Sequence, residues 1–111
     1  MKIAYDSPQL DSVLEALANK KRRGIIHDLS FQPATVTQLA RRIRLSLPAI
    51  HKHIRSLEEA KLIIRKKAGR TNFVALNSST LGLAQSWIMQ YQTAWGSDKA
   101  TLDNYISKMQ E

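Results

Sequence analysis

Residues 35–60 contain two amphipathic helical segments joined by a turn of about three or four residues, and this feature constrains the fold most strongly. A short extended piece at Thr35-Val36 precedes the first segment, which we expect Thr37 to cap. Leu45-Ser46 forms the turn, and Ser46 caps the second segment, which reaches about residue 60. Apolar residues recur at helical spacing in both segments, at Leu39, Ala40, Ile43, Ile50, Ile54 and Leu57. The pattern predicts a helix-turn-helix.

Two strand-like runs follow the helix pair. Residues 62–67 and 71–76 are typical of strands, and residues 68–70 form the turn between them. Additional helices are predicted over residues 8–17 and 20–30, the first of them with Ser7-Pro8 as its start. A longer helix, capped by residues 77–80, reaches about Trp95. Gly96-Ser97 breaks that helix, and a last one covers residues 98–110. The expected fold is mainly α with a small β-hairpin: a winged helix-turn-helix in which the hairpin is the wing.

The length of 111 residues favours one domain covering residues 1–111. Within it we expect N-terminal helices in residues 1–34, the helix-turn-helix and wing in residues 35–76, and C-terminal helices in residues 77–111. The chain has no cysteine, which excludes disulfides, zinc–thiolate sites and cysteine nucleophiles. Neither a signal-peptide pattern nor an apolar run long enough to span a membrane is present, so a cytoplasmic protein is the expectation.

The positive charge is concentrated in the middle of the sequence. The whole chain has 17 Lys and Arg against 9 Asp and Glu, a net charge of +8. Residues 20–70 alone contain 14 basic and 3 acidic residues, a net charge of +11. A basic block of this kind is typical of a protein that binds a polyanion, although a solvated surface explains charge alone equally well.

The second helix of the pair and the hairpin tip are the expected contacts with nucleic acid. The N-terminal end of such a helix enters the DNA major groove. Lys or Arg can bind guanine or a phosphate there, and small apolar side chains can meet a thymine methyl group. The helix residues that we assign to this surface are Ser46, Leu47, Pro48, Ala49, His51, Lys52 and Arg55. Backbone contacts are assigned to Thr37 and Gln38, and wing contacts to Lys66, Lys67, Arg70 and Thr71.

Five stretches resemble motifs of the ArsR-type family of transcription regulators. They are LANKKRRGII at residues 17–26, VTQLA at residues 36–40, LSLPAIHKHI at residues 45–54, LEEAKLI at residues 57–63 and GRTNFVALN at residues 69–77. The resemblance extends over about residues 10–105 and implies a homodimer that binds an inverted DNA repeat and represses transcription. The first and last helices form the dimer interface in that family. The residues expected there are Leu10, Val13, Leu14, Leu81, Ala84, Ile88, Tyr91, Trp95 and Leu102.

The chain departs from the family pattern at several positions. Metal-sensing members use cysteines or sets of His, Asp and Glu, whereas the three histidines here all lie in residues 27–53. We interpret His53, close to the buried stripe of its helix, as structural, and His27 as a partly buried polar residue. We therefore expect no metal and no cofactor. Leu47 and His51 replace the Gln and Ser that are frequent in the recognition helix, which implies a different target sequence. Lys61 replaces a Gly at the end of that helix.

Three functions remain open from the sequence. The first is a sequence-specific, homodimeric repressor. The second is a winged-helix protein that coats nucleic acid without sequence preference, and the third is a protein-interaction module that uses the aromatic surface of Trp87, Tyr91 and Trp95. An enzyme is not expected, because no nucleophile–base pair, paired carboxylates or phosphate-binding loop appears.

Overall fold

A computed structural model of the chain describes residues 2–91 and 98–111. Residues 2–91 form five helices and three strands, and residues 98–111 contain a sixth helix. Their bounds are α1 (Pro8–Leu17), α2 (Lys20–Leu29), β1 (Ala34–Thr35), α3 (Val36–Ile43), α4 (Leu47–Glu59), β2 (Ile63–Ala68), β3 (Thr71–Leu76), α5 (Ser78–Met89) and α6 (Asp98–Met109). None of these helices is long and apolar enough to cross a membrane.

The strands form one antiparallel sheet in the order β1-β3-β2. The hairpin pairs Ile63 with Leu76 at its base and Ala68 with Thr71 at its tip. β1 adds a short edge strand, with Ala34 opposite Val74. The sequence predicted the hairpin, and the structure extends it to three strands because the residues before α3 pair with β3.

One hydrophobic core joins the first five helices to the sheet. α4 lies at its centre, and its Ile50, Ile54 and Leu57 are fully buried. α1 packs against α2, α4 and α5, so the N-terminal and C-terminal helices are in contact within one chain. The remaining fully buried large side chains come from five other elements or their ends: Leu10, Val13, Ile25, Leu39, Leu62 and Val74.

Serine side chains cap α1 and α4. The Ser7 hydroxyl oxygen accepts a hydrogen bond from the Leu10 N–H at 3.2 Å, and the Ser46 oxygen accepts one from the Ala49 N–H at 3.3 Å. A proline follows each cap in the first turn, where its missing N–H costs no hydrogen bond. These two helix starts confirm the predictions made from Ser-Pro and Ser-Leu-Pro.

The start of α3 corrects the sequence prediction, because Thr35 caps this helix and Thr37 does not. The Thr35 hydroxyl accepts from the Gln38 N–H at 3.1 Å, and the Gln38 side-chain oxygen accepts from the Thr35 N–H at 2.9 Å. This reciprocal pair is a capping box, which needs a Gln or Glu three residues after the cap. The extended piece is therefore Ala34–Thr35 and not Thr35-Val36.

The C-terminal helices also differ from the prediction. α5 ends at Met89, well before Trp95, and the Gln90 side chain binds the backbone of the N-terminal segment. Its amide nitrogen donates to the Ile3 carbonyl at 3.0 Å and its oxygen accepts from the Ile3 N–H. The predicted break at Gly96-Ser97 lies outside the described residues.

Candidate nucleic-acid interface

The face of α4 that points away from the core carries exposed side chains suited to DNA. Pro48, Lys52 and Arg55 lie opposite the buried stripe and are exposed. Leu47 is also open to solvent, with 49% of its surface exposed. Ala49 and His51 lie on the two flanks of this face and are half-buried. The structure therefore brings together the predicted recognition-helix residues on one solvent-facing surface.

A backbone hydrogen bond closes the turn before α4. Arg44 adopts a left-handed backbone conformation with φ of 61°, and the Leu45 N–H donates to the Ala40 carbonyl at 2.9 Å. This bond closes the end of α3 and sets the direction in which α4 leaves. The Ser46 oxygen already accepts a bond from the start of α4, so its hydroxyl hydrogen is the part that remains for a partner.

The supporting helix presents Thr37 and Gln38 to solvent. The Gln38 side-chain oxygen is used in the capping box, which leaves its NH2 group as a donor. Thr37 is exposed and does not cap the helix, so its hydroxyl is placed on the surface of the first turn of α3. Both residues keep a donor group that a phosphate oxygen can accept from.

The wing tip is a two-residue turn, Gly69-Arg70, and basic side chains flank it. Gly69 has φ of 63°, a conformation that residues with a side chain rarely adopt. The predicted contacts Lys66, Lys67, Arg70 and Thr71 are all exposed. The side chain of Arg65, closer to the base, turns inward and forms an ion pair with Glu58 of α4. The wing is therefore joined to the recognition helix by an ion pair.

Four arginines of the basic block have structural roles. Arg22 donates to the carbonyl oxygens of Ala16 at 2.7 Å and Glu15 at 3.1 Å, and Arg23 donates to that of Leu17 at 3.0 Å. These bonds satisfy carbonyl groups at the end of α1. Of the other two, Arg42 pairs with Asp28 at 3.0 Å and Arg65 pairs with Glu58. The charge count from sequence included all four, so it overstated the cations that are free for a polyanion.

His53 lies on the flank of α4 that faces α2. Its ring nitrogen Nδ1 is 3.4 Å from a guanidinium nitrogen of Arg22, which makes Nδ1 the acceptor and assigns the neutral ring's proton to Nε2. Burial lowers the pKa of His53 below its usual value, and the positive charges of Arg22, Lys52 and Lys21 lower it further. His53 thus has the structural position that the sequence predicted.

His27 differs from the expectation of a partly buried residue. It is exposed, and its ring packs edge-on against that of Phe31, with centroids 5.2 Å apart. Among residues 2–91 and 98–111, no group of three or more His, Asp or Glu side chains is placed to hold a metal ion.

The predicted interface residues divide into two groups. Leu10, Val13 and Ala84 are buried in the core of the single chain, so they have no surface to offer a second copy and their assignment is corrected. Leu81 is half-buried against the same core. The exposed members are Leu14, Ile88, Tyr91 and Leu102, whereas Trp95 lies outside the described residues. An apolar helix face alone cannot distinguish core from interface, which explains the error.

The fold and this surface define a winged helix-turn-helix DNA-binding protein. A family model described as a helix-turn-helix domain matches residues 17–65. The crystal structure of the ArsR family transcriptional regulator RHA00566 superposes with a TM-score of 0.76 and 33% identity, covering 84% of this chain and 96% of that one.

Curated relatives agree with this structural match. The chain is 32% identical to the HTH-type transcriptional regulator Rv2034 of Mycobacterium tuberculosis, over 80% of this chain and 81% of the relative. It is 24% identical to the transcriptional repressor SdpR of Bacillus subtilis, over 74% of this chain and 91% of SdpR. The chain belongs to the ArsR family of helix-turn-helix transcriptional regulators, which are not enzymes.

Proposed function

We propose that this protein is a homodimeric repressor that binds an inverted DNA repeat sequence-specifically. The observation that carries the proposal is the exposed face of α4, where Lys52 and Arg55 stand opposite the buried Ile50 and Ile54. In this geometry the N-terminal half of α4 can enter the major groove while its other face remains in the core. Similarity to the repressor SdpR supports repression as the outcome of binding.

Three side chains of α4 and the wing cations have chemical roles in the proposal. Arg55 or Lys52 donates to guanine O6 and N7, and exposed Leu47 contacts a thymine methyl group. The wing cations Lys66, Lys67 and Arg70 bind phosphates or the adjacent minor groove. Because Leu47 carries no hydrogen-bonding group, we propose that its base contact is apolar.

The dimer is proposed from the exposed apolar residues near the ends of the chain. Ile88 and Tyr91 are each 59% exposed at the end of α5, and Trp87 packs edge-on against Tyr91 with ring centroids 5.2 Å apart. Leu14 on α1 and Leu102 on α6 are exposed as well, and we assign them to the same interface. A second copy would bury these residues and place two recognition helices about 34–36 Å apart, one turn of DNA. We also propose that residues 1–111 act as one domain.

A competition assay tests the proposal. The protein is bound to a labelled duplex that was enriched from a random pool, and unlabelled duplexes of the same or scrambled sequence compete. We expect the enriched sequence to compete at least 1,000-fold better, the order of magnitude typical of specific binding. Equal competition by the enriched and scrambled duplexes would show that the protein coats nucleic acid without sequence preference. If no duplex bound at low salt, the protein-interaction module would be the remaining function. Sedimentation tests the dimer separately.

A further inference from the structure

The recognition helix has a second group of positive charges on the side away from the wing. Lys21 at the start of α2 and Arg44 in the turn after α3 form this group, which we call the α2–α3 corner. We propose that the α2–α3 corner binds backbone phosphates of the same DNA, next to the groove that α4 enters. The proposal rests on the proposed DNA binding and adds contacts to it.

The Lys21 side chain reaches the backbone next to Arg44. The Lys21 ammonium donates to the carbonyl oxygen of Ile43 at 3.4 Å, and Ile43 directly precedes Arg44. Arg44 stands two residues before the Ser46 cap of α4, so its Cα lies within about 7 Å of that cap. The positive N-terminal end of the α4 dipole adds to the field at the same place. The corner is thus adjacent to the end of α4 that enters the groove.

The corner and the wing lie on opposite flanks of α4. Arg65 of the wing binds Glu58, whereas Arg22, the neighbour of Lys21, contacts His53. In a helix with 3.6 residues per turn, positions 53 and 58 are about 140° apart, on either side of the exposed face. The positive charge of Lys21 also lowers the pKa of His53, in agreement with this placement. Cations therefore border the exposed face of α4 on both sides.

No carboxylate neutralises this corner. The ion pairs within the described part of the chain are Arg42–Asp28 and Arg65–Glu58, and neither includes Lys21 or Arg44. Both side chains are exposed. Neighbouring cations without a counter-ion repel each other, and a phosphate relieves that repulsion. A duplex in the groove supplies phosphates on both of its edges, which matches the arrangement of the wing and the corner.

Salt-dependent binding of the full chain to the enriched duplex tests the proposal. Lys21→Gln and Arg44→Gln should each lower the slope of log K against log salt by about one unit. Each should weaken binding about five-fold at 0.15 M salt, from the counterion release of one phosphate contact. The loss should be equal for enriched and scrambled duplexes, because phosphates carry no sequence information. Lys21→Arg and Arg44→Lys should keep the wild-type slope.

Lys61→Gln is the matched control. It removes the same charge at the opposite end of α4, about 20 Å away for a 13-residue helix. The proposal would be overturned if the salt slopes of Lys21→Gln and Arg44→Gln equalled that of Lys61→Gln. It would also be overturned if the loss of affinity depended on the base at one position of the duplex. If Lys21→Gln melts at a lower temperature because its bond to Ile43 is lost, Arg44→Gln decides the outcome. If the wild type binds no duplex, both the proposed function and this inference fail, whereas unchanged slopes reject only the inference.

Discussion

The Glu58 carboxylate of α4 accepts a hydrogen bond from the Arg65 guanidinium of β2, so an ion pair joins the wing to the recognition helix. Both side chains are about a third exposed, at 31% and 28% respectively. An ion pair in such a setting contributes less than about 1 kcal/mol to stability. Its importance lies instead in fixing the position of the wing cations relative to α4.

Glu58→Gln separates the positioning role of this pair from simple charge. Removing a negative charge should strengthen DNA binding if only net charge matters. We expect Glu58→Gln to weaken binding of the enriched duplex, because the wing loses its link to α4. Glu59→Gln is the control, since this exposed neighbour makes the same charge change without breaking the ion pair. Fluorescence anisotropy measures both, and tighter binding by both variants would contradict the positioning role.

The lowered pKa of His53 predicts that the folded chain loses stability in mild acid. Burial, followed by the charges of Arg22, Lys52 and Lys21, lowers its pKa below 6.5 in the folded chain. The unfolded chain therefore binds the proton first as the pH falls below 6.5, and the free energy of unfolding decreases there. Well above that pH the residue is neutral in both states, and its contribution to the pH dependence disappears.

Urea unfolding between pH 7.5 and pH 5.5 tests this expectation. The wild type should lose stability over that range, and His53→Gln should lose less because the titrating group is gone. His27→Gln leaves His53 in place and should follow the wild type. Identical pH profiles for His53→Gln and the wild type would show that His53 does not cause the loss.

Lys61 occupies a position that favours glycine. Its φ is 62°, and its N–H donates to the Glu58 carbonyl while the Leu62 N–H donates to that of Leu57, each at 2.9 Å. These two bonds form a Schellman motif. Lys61→Gly should stabilise the chain by about 0.5–1 kcal/mol, since the left-handed strain exceeds the entropy cost of glycine. Lys61→Ala should give no such gain, and an equal gain in thermal unfolding would contradict this explanation.

The proposed dimer predicts a clear effect at Ile88. Ile88→Glu places a charge on an exposed apolar position without disturbing the core, so it should convert the dimer to a monomer. Gln85→Glu adds the same charge on an already polar and exposed position of α5 and should leave the dimer intact. Sedimentation velocity at equal protein concentrations measures the change. A dimer that persists in Ile88→Glu would show that the interface lies elsewhere.

Local sequence patterns predicted most helix starts and the hairpin. Ser7 and Ser46 were found because a proline follows each in the first turn. The start of α3 was missed although its signal was present: Gln38 stands three residues after Thr35, the spacing of a capping box. The left-handed conformation at Lys61 had a signal too, because this residue replaces a glycine in the family pattern.

Tertiary contacts account for the predictions that failed. Arg22 and Arg23 bind carbonyl groups of α1, and no local pattern distinguishes such an arginine from a free one. Leu10 and Val13 lie on an apolar helix face that is equally consistent with a core or a dimer interface. The proposed α2–α3 corner had no sequence signal either, since Lys21 and Arg44 are distant in sequence and are linked through the bond from Lys21 to the Ile43 carbonyl.

Selection of bound duplexes from a random pool, carried out with the wild type and with Arg55→Ala, tests the central claim most directly. The wild type should enrich an inverted repeat whose half-sites are about 10–10.5 base pairs apart. Arg55→Ala should lose preference at one position of each half-site, at a cost of roughly 1–3 kcal/mol. A uniform loss would instead make Arg55 a phosphate contact. A wild-type pool without any common sequence would contradict sequence-specific recognition by α4.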